Sequence, residues 1–250
     1  MTPLKPDQKV ALVTGAGRNI GRAIAHTLAK QGFALAINVR ASVSEGQAVV
    51  DELLALGTPA LLCVADVTDR QSVQGMMDLI QTTWGRLDVV VNNAAIRREA
   101  PIDQVSVEDW RNTLAVVLDG AFYCSQAALP MLRQSPMGAV INIGGLTAHT
   151  GAMNRPHVVT AKSGLVGLTR ALAHDLAGAQ HAGGRLAQPH GGVGQHRVGV
   201  LCPIHLGQHH VVLREGAAHQ DLAAHHPGIA KGLDCHRHAH IPRSEEHTSE

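Results

Sequence analysis

The stretch that decides the fold is VALVTGAGRNIGRAIA, residues 10–25. It consists of an apolar run typical of a strand, a turn with glycines at 15, 17 and 21, and the start of an amphipathic helix. Such glycines permit a tight turn, and the N-terminus of the helix offers amide N–H groups and the positive end of a dipole to a pyrophosphate. Asn19 stands where a third glycine is common, and asparagine enters the left-handed backbone region at modest cost. The stretch therefore predicts a dinucleotide-binding strand, turn and helix.

The pattern around this unit repeats along the chain to about Ala177. Short apolar runs predict strands at 9–14, 34–39, 60–65, 87–92 and 138–144. The stretches between them, such as GRAIAHTLAKQG and SVQGMMDLIQTTWG, carry apolar residues at helical period and are expected to be crossover helices. This alternation predicts an α/β fold with a Rossmann-type doubly wound parallel sheet in one domain at 1–177, with an atypical or incomplete C-terminal third.

The composition changes from Gly178 onward. Thirteen of the 17 histidines lie in the last 73 residues, none of the five aromatic residues does, and QPHGGVGQHRVG at 188–199 has no strand or helix period. Three interpretations stay open: a histidine-rich metal-binding tail around CHRHAH at 235–240, a disordered appendage, and a slipped reading frame. We favour the slipped frame, and therefore expect neither a strand nor a helix in this region.

The last eight residues, RSEEHTSE at 243–250, support the slipped-frame interpretation. They back-translate to a nucleotide sequence that resembles a widely used sequencing-library adapter. We therefore treat 178–242 as a Gly/His/Ala-rich segment of doubtful frame and 243–250 as a non-biological tail. Function is sought before residue 178.

Charge and apolar pattern narrow the class of protein. The chain has 21 basic and 20 acidic side chains, a formal net charge of +1, so no field of one sign indicates nucleic acid or an anionic membrane. MTPLKPDQKV at the N-terminus has no signal-peptide core, and no membrane-length apolar run is evident. The four cysteines form no CxxC pair, so idle thiols are expected and no metal site is predicted. We expect a soluble cytoplasmic protein with a small-molecule substrate.

Further motifs follow the later predicted strands: Asp66-Val67 after the third, Asn92-Asn93-Ala94-Ala95 after the fourth, and AVINIGG at 139–145 followed by TAKSGLVGLTRALA at 160–173. With the glycine turn, they make residues 8 to 177 resemble the short-chain dehydrogenase/reductase family, most closely members similar to 3-oxoacyl-carrier-protein reductases. The resemblance implies a nicotinamide cofactor on the carboxyl edge of the sheet, with Asp66 and Val67 at the adenine and Asn93 to Ala95 beside the ribose. The predicted cofactor-binding residues are Thr14, Gly15, Gly17, Arg18, Asn19, Ile20, Gly21, Arg40, Asp66, Val67, Asn92, Asn93, Ala94, Ala95 and Lys162.

The choice between NADP and NAD follows from charge. An NAD site usually presents a carboxylate at the end of the second strand, whereas NADP needs a cation for its 2′-phosphate. The strand ALAINV ends in Arg40, and Arg18 lies in the glycine turn. Two guanidiniums and no carboxylate favour NADP(H) over NAD, although a solvated strand-end arginine remains an alternative for Arg40.

The positions that should carry the chemistry are largely replaced. Hydride transfer to a carbonyl leaves charge on oxygen, so a reductase needs a positioned acid and hydrogen-bond donors. The resemblance implies a tyrosine, a lysine four residues later, a serine and an asparagine. Lys162 fills the lysine position, in the predicted first turn of a helix, and is the one predicted catalytic residue. The other three positions hold Val158, Gly145 and Val117.

Other donors are available near these positions. His149, His157, Thr147 and Thr160 could rebuild a site, whereas Tyr123, the one tyrosine, has no lysine four residues later. Three functions therefore stay open: an NADP(H)-dependent oxidoreductase acting on a small carbonyl or hydroxyl compound, a nucleotide-binding protein that has lost the chemistry, and a histidine-rich metal-binding protein. A homo-oligomer through long helices near 106–133 and 160–177 is also expected from the resemblance.

Overall fold

A computed structural model describes residues 3–178 and 197–201. Within them, six strands form one parallel sheet in the order β3-β2-β1-β4-β5-β6. The predicted doubly wound parallel sheet is confirmed, and each predicted strand overlaps an observed one. The strands are β1 Val10–Val13, β2 Ala34–Val39, β3 Ala60–Val64, β4 Val89–Asn92, β5 Ala139–Ile143 and β6 Arg197–Leu201.

The prediction that no strand follows residue 178 is wrong. Strand β6 pairs with β5 in parallel register, from Arg197 opposite Ala139 to Leu201 opposite Ile143. The strand RVGVL is short and has only two valines. Because glycines and histidines precede it, the sequence around it shows no clear strand period. Its pairing with an existing strand supplies backbone hydrogen bonds that local propensity does not register. The CHRHAH motif and residues 243–250 lie outside the described residues.

Helices cover both faces of the sheet. Side chains of β1 alternate, so that Val10 and Leu12 lie in the core beneath α3 and α5, and Ala11 and Val13 lie in the core beneath α1 and α2. Burial on both faces explains why the strand is an unbroken apolar run. The helices are α1 Asn19–Lys30, α2 Val43–Ala55, α3 Arg70–Trp84, α4 Val107–Leu114, α5 Gly120–Gln134, α6 Thr147–Thr150 and α7 Pro156–Gly178.

A single turn of π-helix, Ala115–Asp119, joins α4 to α5 without a loop. π turns are rare and often occur at functional sites. The combined helix, Val107–Gln134, is long and apolar enough to cross a membrane by length and composition alone. Cys124, Ala128 and Leu132 of α5 lie in the core with the sheet, so part of this apolar composition is buried within the domain.

Helix α7 begins at Pro156, four residues earlier than predicted. Proline suits the first helical position because its missing N–H has no partner there in any case. Lys162 therefore lies in the second turn of the helix, not in the first as the sequence suggested.

Candidate functional site

The candidate site lies where the winding of the sheet reverses. Strands β1 and β4 are neighbours, and the chain proceeds outward from them in opposite directions, which in open α/β sheets leaves a crevice at the carboxyl ends of the strands. A cleft of about 550 Å³ opens there. Most of the residues predicted to bind the cofactor line it: Gly15, Gly17, Arg18, Asn19, Ile20, Gly21, Arg40, Asp66, Val67, Asn93, Ala94 and Ala95. Thr14, Asn92 and Lys162 do not line this cleft.

The glycine turn has the backbone that the sequence predicts. Gly15 has φ 61°, and Asn19 has φ 50°, so the asparagine does occupy the left-handed region. Gly21 is required by close contact. A Cβ there would lie 2.4 Å from the carbonyl oxygen of Gly15 and 2.6 Å from Nδ2 of Asn93. Any larger residue at this position would push the glycine turn away from Asn93 in the loop after β4.

The N-terminus of α1 faces this cleft with its amide groups available. Arg18 is the N-cap residue and makes no capping hydrogen bond with its side chain, and the first turn of the helix carries no acidic residue. The first N–H groups of a helix have no partner within the helix. An uncapped N-terminus with a positive dipole end fits the pyrophosphate of a dinucleotide.

Thr14 and Asn93 join the glycine turn to the loop after β4. The Thr14 hydroxyl accepts hydrogen bonds from the backbone N–H groups of Asn93 and Ala94, both at 3.0 Å. The Asn93 side chain donates to the carbonyl oxygens of Thr14, at 2.9 Å, and Gly15, at 3.1 Å. Thr14 is buried, so its side chain holds the turn in place and does not face the cleft.

Asn38 is a residue that the sequence analysis missed. It is buried in β2, where its Oδ1 accepts from the N–H of Gly15 at 3.3 Å and its Nδ2 donates to the carbonyl oxygens of Cys63 and Ala65 at 3.1 and 3.0 Å. It thereby connects the ends of β1, β2 and β3 under the cleft. A single asparagine inside the apolar run ALAINV was the signal that could have identified it.

Five charged residues line the cleft: Arg18, Arg40 and Arg97, and the carboxylates Glu45 and Asp66. Arg18 Nη1 lies 3.7 Å from a carboxylate oxygen of Glu45, and Arg40 Nη1 lies 4.0 Å from one of Asp66. The statement that no carboxylate accompanies the two arginines is therefore wrong. The end of β2 carries no carboxylate, but the fold brings Glu45 in on the first turn of α2.

Asn92 points into the protein interior. Its Nδ2 donates to Ser125 Oγ at 3.1 Å and to Asn142 Oδ1 at 2.8 Å, and Asn142 donates in turn to Thr169 Oγ1 at 2.8 Å. Within the described residues, Asn92 Oδ1 has no partner. This buried chain links β4, β5 and α7, so the Asn92 side chain acts on the cleft only through the position of the strand end.

The catalytic positions lie along β5 and α7. Lys162 is buried, and its ammonium donates to the carbonyl oxygen of Ile143 at the end of β5. Val158 is one turn earlier on α7 and half-buried, and Gly145 follows β5 by two residues. Val117, in the π turn, is buried in a cluster with residues of α7. None of these three replacements carries a side-chain hydrogen-bond donor.

The alternative proton donors His157, His149 and Tyr123 lie in different parts of the structure. His157 is fully buried, and its spacing of four and eight residues from Ala161 and Leu165 puts it on the face of α7 that contacts the π turn. Neither ring nitrogen has a partner within the described residues. His149 lies exposed on α6. The Tyr123 ring lies 5.5 Å from the guanidinium of Arg70 on α3.

The two described cysteines behave as core residues. Cys63 and Cys124 are buried, and burial raises the pKa of each thiol to about 12, so neither is poised to be a thiolate near neutral pH. In residues 3–178 and 197–201, no group of three or more His, Cys, Asp or Glu side chains is placed to hold a metal ion.

Fold, crevice and glycine turn together define a Rossmann-type α/β protein. The short chain dehydrogenase family model matches residues 9–180. The 3-oxoacyl-[acyl-carrier-protein] reductase FabG of Staphylococcus aureus is 37% identical over 169 residues, which are 68% of this chain and 69% of that protein. The protein of the same name from Staphylococcus epidermidis is 37% identical over 172 residues, again 68% and 69%. This chain belongs to the short-chain dehydrogenase family of oxidoreductases.

A solved structure is similar in fold. The crystal structure of a gluconate 5-dehydrogenase from Burkholderia cenocepacia, in complex with NADP and tartrate, matches with a TM-score of 0.68 and 28% identity. The match covers 79% of this chain and 71% of that one.

Proposed function

We propose that this protein binds NADP(H) in the cleft and is an oxidoreductase for a small carbonyl or hydroxyl compound in the cytoplasm, with slow turnover. The observation that carries the proposal is the meeting of the uncapped α1 N-terminus with the Arg18 and Arg40 guanidiniums in one cleft. The amide groups suit the pyrophosphate and the two cations suit a 2′-phosphate. The NADP in the similar gluconate 5-dehydrogenase structure supports the same assignment.

The chemistry is expected to be slow because a proton donor is missing. The bound nicotinamide would supply or accept a hydride at the substrate carbon, and the carbonyl oxygen then needs a proton and hydrogen-bond donors. Val158, Gly145 and Val117 provide neither. Lys162 remains as a cationic group near the carboxyl end of β5. Its hydrogen bond to the carbonyl oxygen of Ile143 fixes the ammonium there. We propose that it holds the ribose and stabilises negative charge without passing a proton through a phenol.

A second candidate is a nucleotide-binding protein of the same fold that has no turnover. It is favoured by the three replaced positions, since hydrocarbon side chains and a glycine cannot take part in proton transfer. Both candidate functions use the cleft to bind the dinucleotide. They differ only in whether the β5–α7 region supports turnover.

The test restores the missing hydroxyl groups. In Gly145→Ser the new Cβ has space, because its nearest neighbour is Thr147 Oγ1 at 3.7 Å. We expect Val158→Tyr with Gly145→Ser to raise the NADPH-dependent reduction of small ketones about 100-fold, the scale of general acid catalysis. The matched control is Val158→Phe with Gly145→Ala, which adds similar volume without hydroxyls and should give no increase.

The same assays separate the two candidates. Activity of the unmodified chain that Lys162→Ala abolishes identifies an enzyme. Turnover only in the variant with tyrosine and serine identifies a nucleotide-binding protein that has lost its chemistry. If fluorescence titration shows no saturable binding of NADPH by the unmodified chain, the proposed function is wrong.

We also propose a homo-oligomer. Phe122 on α5 is 39% exposed although it is a large apolar side chain, and a second copy could cover it. Light scattering after size-exclusion chromatography would measure the mass, and a monomer at micromolar concentration would contradict this assignment.

A further inference from the structure

Helix α2 brings a carboxylate into the part of the cleft where the two arginines lie. Glu45 is in the first turn of α2 and lines the cleft, and its side chain is 42% exposed. The carboxylate lies 3.7 Å from Arg18 Nη1, and among the described residues this ion pair is its one polar contact. A ligand that needs Arg18 must therefore compete with Glu45.

We propose that Glu45 determines cofactor specificity by weakening the preference for the 2′-phosphorylated dinucleotide, so that the protein accepts NADH as well as NADPH. This inference rests on the proposed function, in which the cleft binds a nicotinamide dinucleotide. A 2′-phosphate carries nearly two negative charges at neutral pH, so a carboxylate beside its arginine both competes for the guanidinium and repels the ligand. A 2′-hydroxyl, in contrast, can donate a hydrogen bond to a carboxylate.

The second carboxylate of the cleft is held by its own loop. Oδ1 of Asp66 accepts hydrogen bonds from the backbone N–H of Thr68 at 2.9 Å and from its hydroxyl at 2.8 Å. Oδ2 lies 4.0 Å from Arg40 Nη1, at the limit of an ion pair. Because Asp66 shapes the turn after β3, it is a poor subject for substitution. Glu45 is partly exposed in the first turn of α2, so Glu45→Gln keeps the side-chain shape and removes only the modest interaction of a carboxylate with the helix N-terminus.

The same helix supplies a matched control. Glu52 lies seven residues after Glu45 on α2, is 39% exposed, and pairs with Arg22 at 2.8 Å and His26 at 2.9 Å on α1. The hydrogen bond from Arg22, together with that from His26, lowers the pKa of Glu52. Glu52 does not line the cleft. Its neutralisation therefore removes an ion pair between α2 and α1 that is closer than the Arg18–Glu45 pair and lies outside the cleft.

The experiment is a fluorescence titration of the full chain and its variants with NADPH and, separately, NADH at low ionic strength. We expect Glu45→Gln to raise the ratio of NADPH to NADH affinity about fivefold, as for a half-exposed charge pair near 4 Å. Glu45→Lys should raise it further. Glu52→Gln should leave the ratio unchanged, and about 0.5 M salt should reduce the Glu45 effect because exposed charges are screened.

The outcomes distinguish this inference from the proposed function. If the unmodified chain binds NADPH and neither Glu45 variant changes the ratio, the role of Glu45 is refuted and the proposed function stands. An equal change in Glu52→Gln would also refute it, since the effect would then be a general one of net charge. If the unmodified chain binds neither dinucleotide, both proposals are wrong. Circular dichroism of each variant confirms that the comparison is made between folded proteins.

Discussion

Two regions at the carboxyl ends of the strands, the cleft and the β5–α7 region, differ in what their residues do for the fold. At the cleft, side chains that line it or lie directly beneath it hold the backbone: Thr14 and Asn93 join β1 to β4, and Asn38 joins β1, β2 and β3. In the β5–α7 region, the side chains at the replaced positions Val158 and Gly145 join no strands in this way. Damage to a binding site built into the backbone network is expected to cost stability as well as affinity, whereas a proton donor can be lost while the fold keeps its stability.

The largest expected effect concerns the strands that carry the cleft. Asp88 precedes β4 and its side chain is fully buried, where it accepts hydrogen bonds from Val10 N–H at 2.8 Å, Ser135 Oγ at 2.6 Å and Arg86 Nη2 at 2.8 Å. Asp88→Asn would leave Arg86 without its charge partner, and we expect the free energy of unfolding to fall by about 3 kcal/mol. Denaturant unfolding measures this. The exposed Asp51→Asn is the control and should change it by less than about 0.5 kcal/mol.

Acid should weaken the hydrogen bonds and the ion pair of Asp88. Burial acts to raise the pKa of Asp88, but the hydrogen bonds from Arg86, Ser135 and the Val10 N–H outweigh it and lower the pKa below its ordinary value. A carboxylate with a lowered folded-state pKa stabilises the fold above the unfolded value of about 4, and this contribution is lost as the pH falls through the lowered pKa. Unfolding measured from about pH 5 downward should therefore show a steeper loss of stability in the unmodified protein than in Asp88→Asn; parallel curves would contradict this.

The next effect tests the glycine turn directly. Gly21→Ala places a Cβ 2.4 Å from the Gly15 carbonyl oxygen and should cost about 2 kcal/mol of stability, in the range of overpacked cores. The shifted turn should also reduce NADPH affinity at least tenfold in the titration. Normal affinity in a folded Gly21→Ala protein would show that the turn is not part of the binding site.

Asn38→Ala should have a somewhat smaller effect. It removes the acceptor of the Gly15 N–H and the donor to two buried carbonyl groups, a loss of about 1 to 2 kcal/mol. Asn112→Ala on the exposed side of α4 is the matched control. Equal stability of the two variants would mean that Asn38 does not hold the cleft together.

The smallest effect is expected in the β5–α7 region. In Gly145→Ala the new Cβ meets only Thr147 Oγ1, at 3.7 Å, so stability should change by no more than about 0.5 kcal/mol. The same substitution is thus made at two glycines, one in each region. If thermal unfolding gave Gly145→Ala a cost as large as that of Gly21→Ala, the contrast between the two regions would be lost.

Local patterns predicted the strands, the parallel sheet and the left-handed Asn19, because each depends on neighbouring residues. Contacts between distant residues were missed. Asn38 reaches Gly15 across 23 positions, and Glu45 enters the cleft through the path of α2. The strand β6 depends on pairing with β5, and the π turn depends on tertiary contacts of its helix, so neither leaves a clear periodic signal.

The π turn at Ala115–Asp119 also bears on how the gene can vary in length. A π turn holds about one residue more per turn than an α turn, so deleting one residue there would restore a regular α-helix and leave α5 facing the same way. Cys124, Ala128 and Leu132 would still face the sheet. The same deletion inside α5 would rotate the residues after it by about 100° and turn part of this face away from the core. Single-residue deletions should therefore be tolerated at the π turn and selected against within α5.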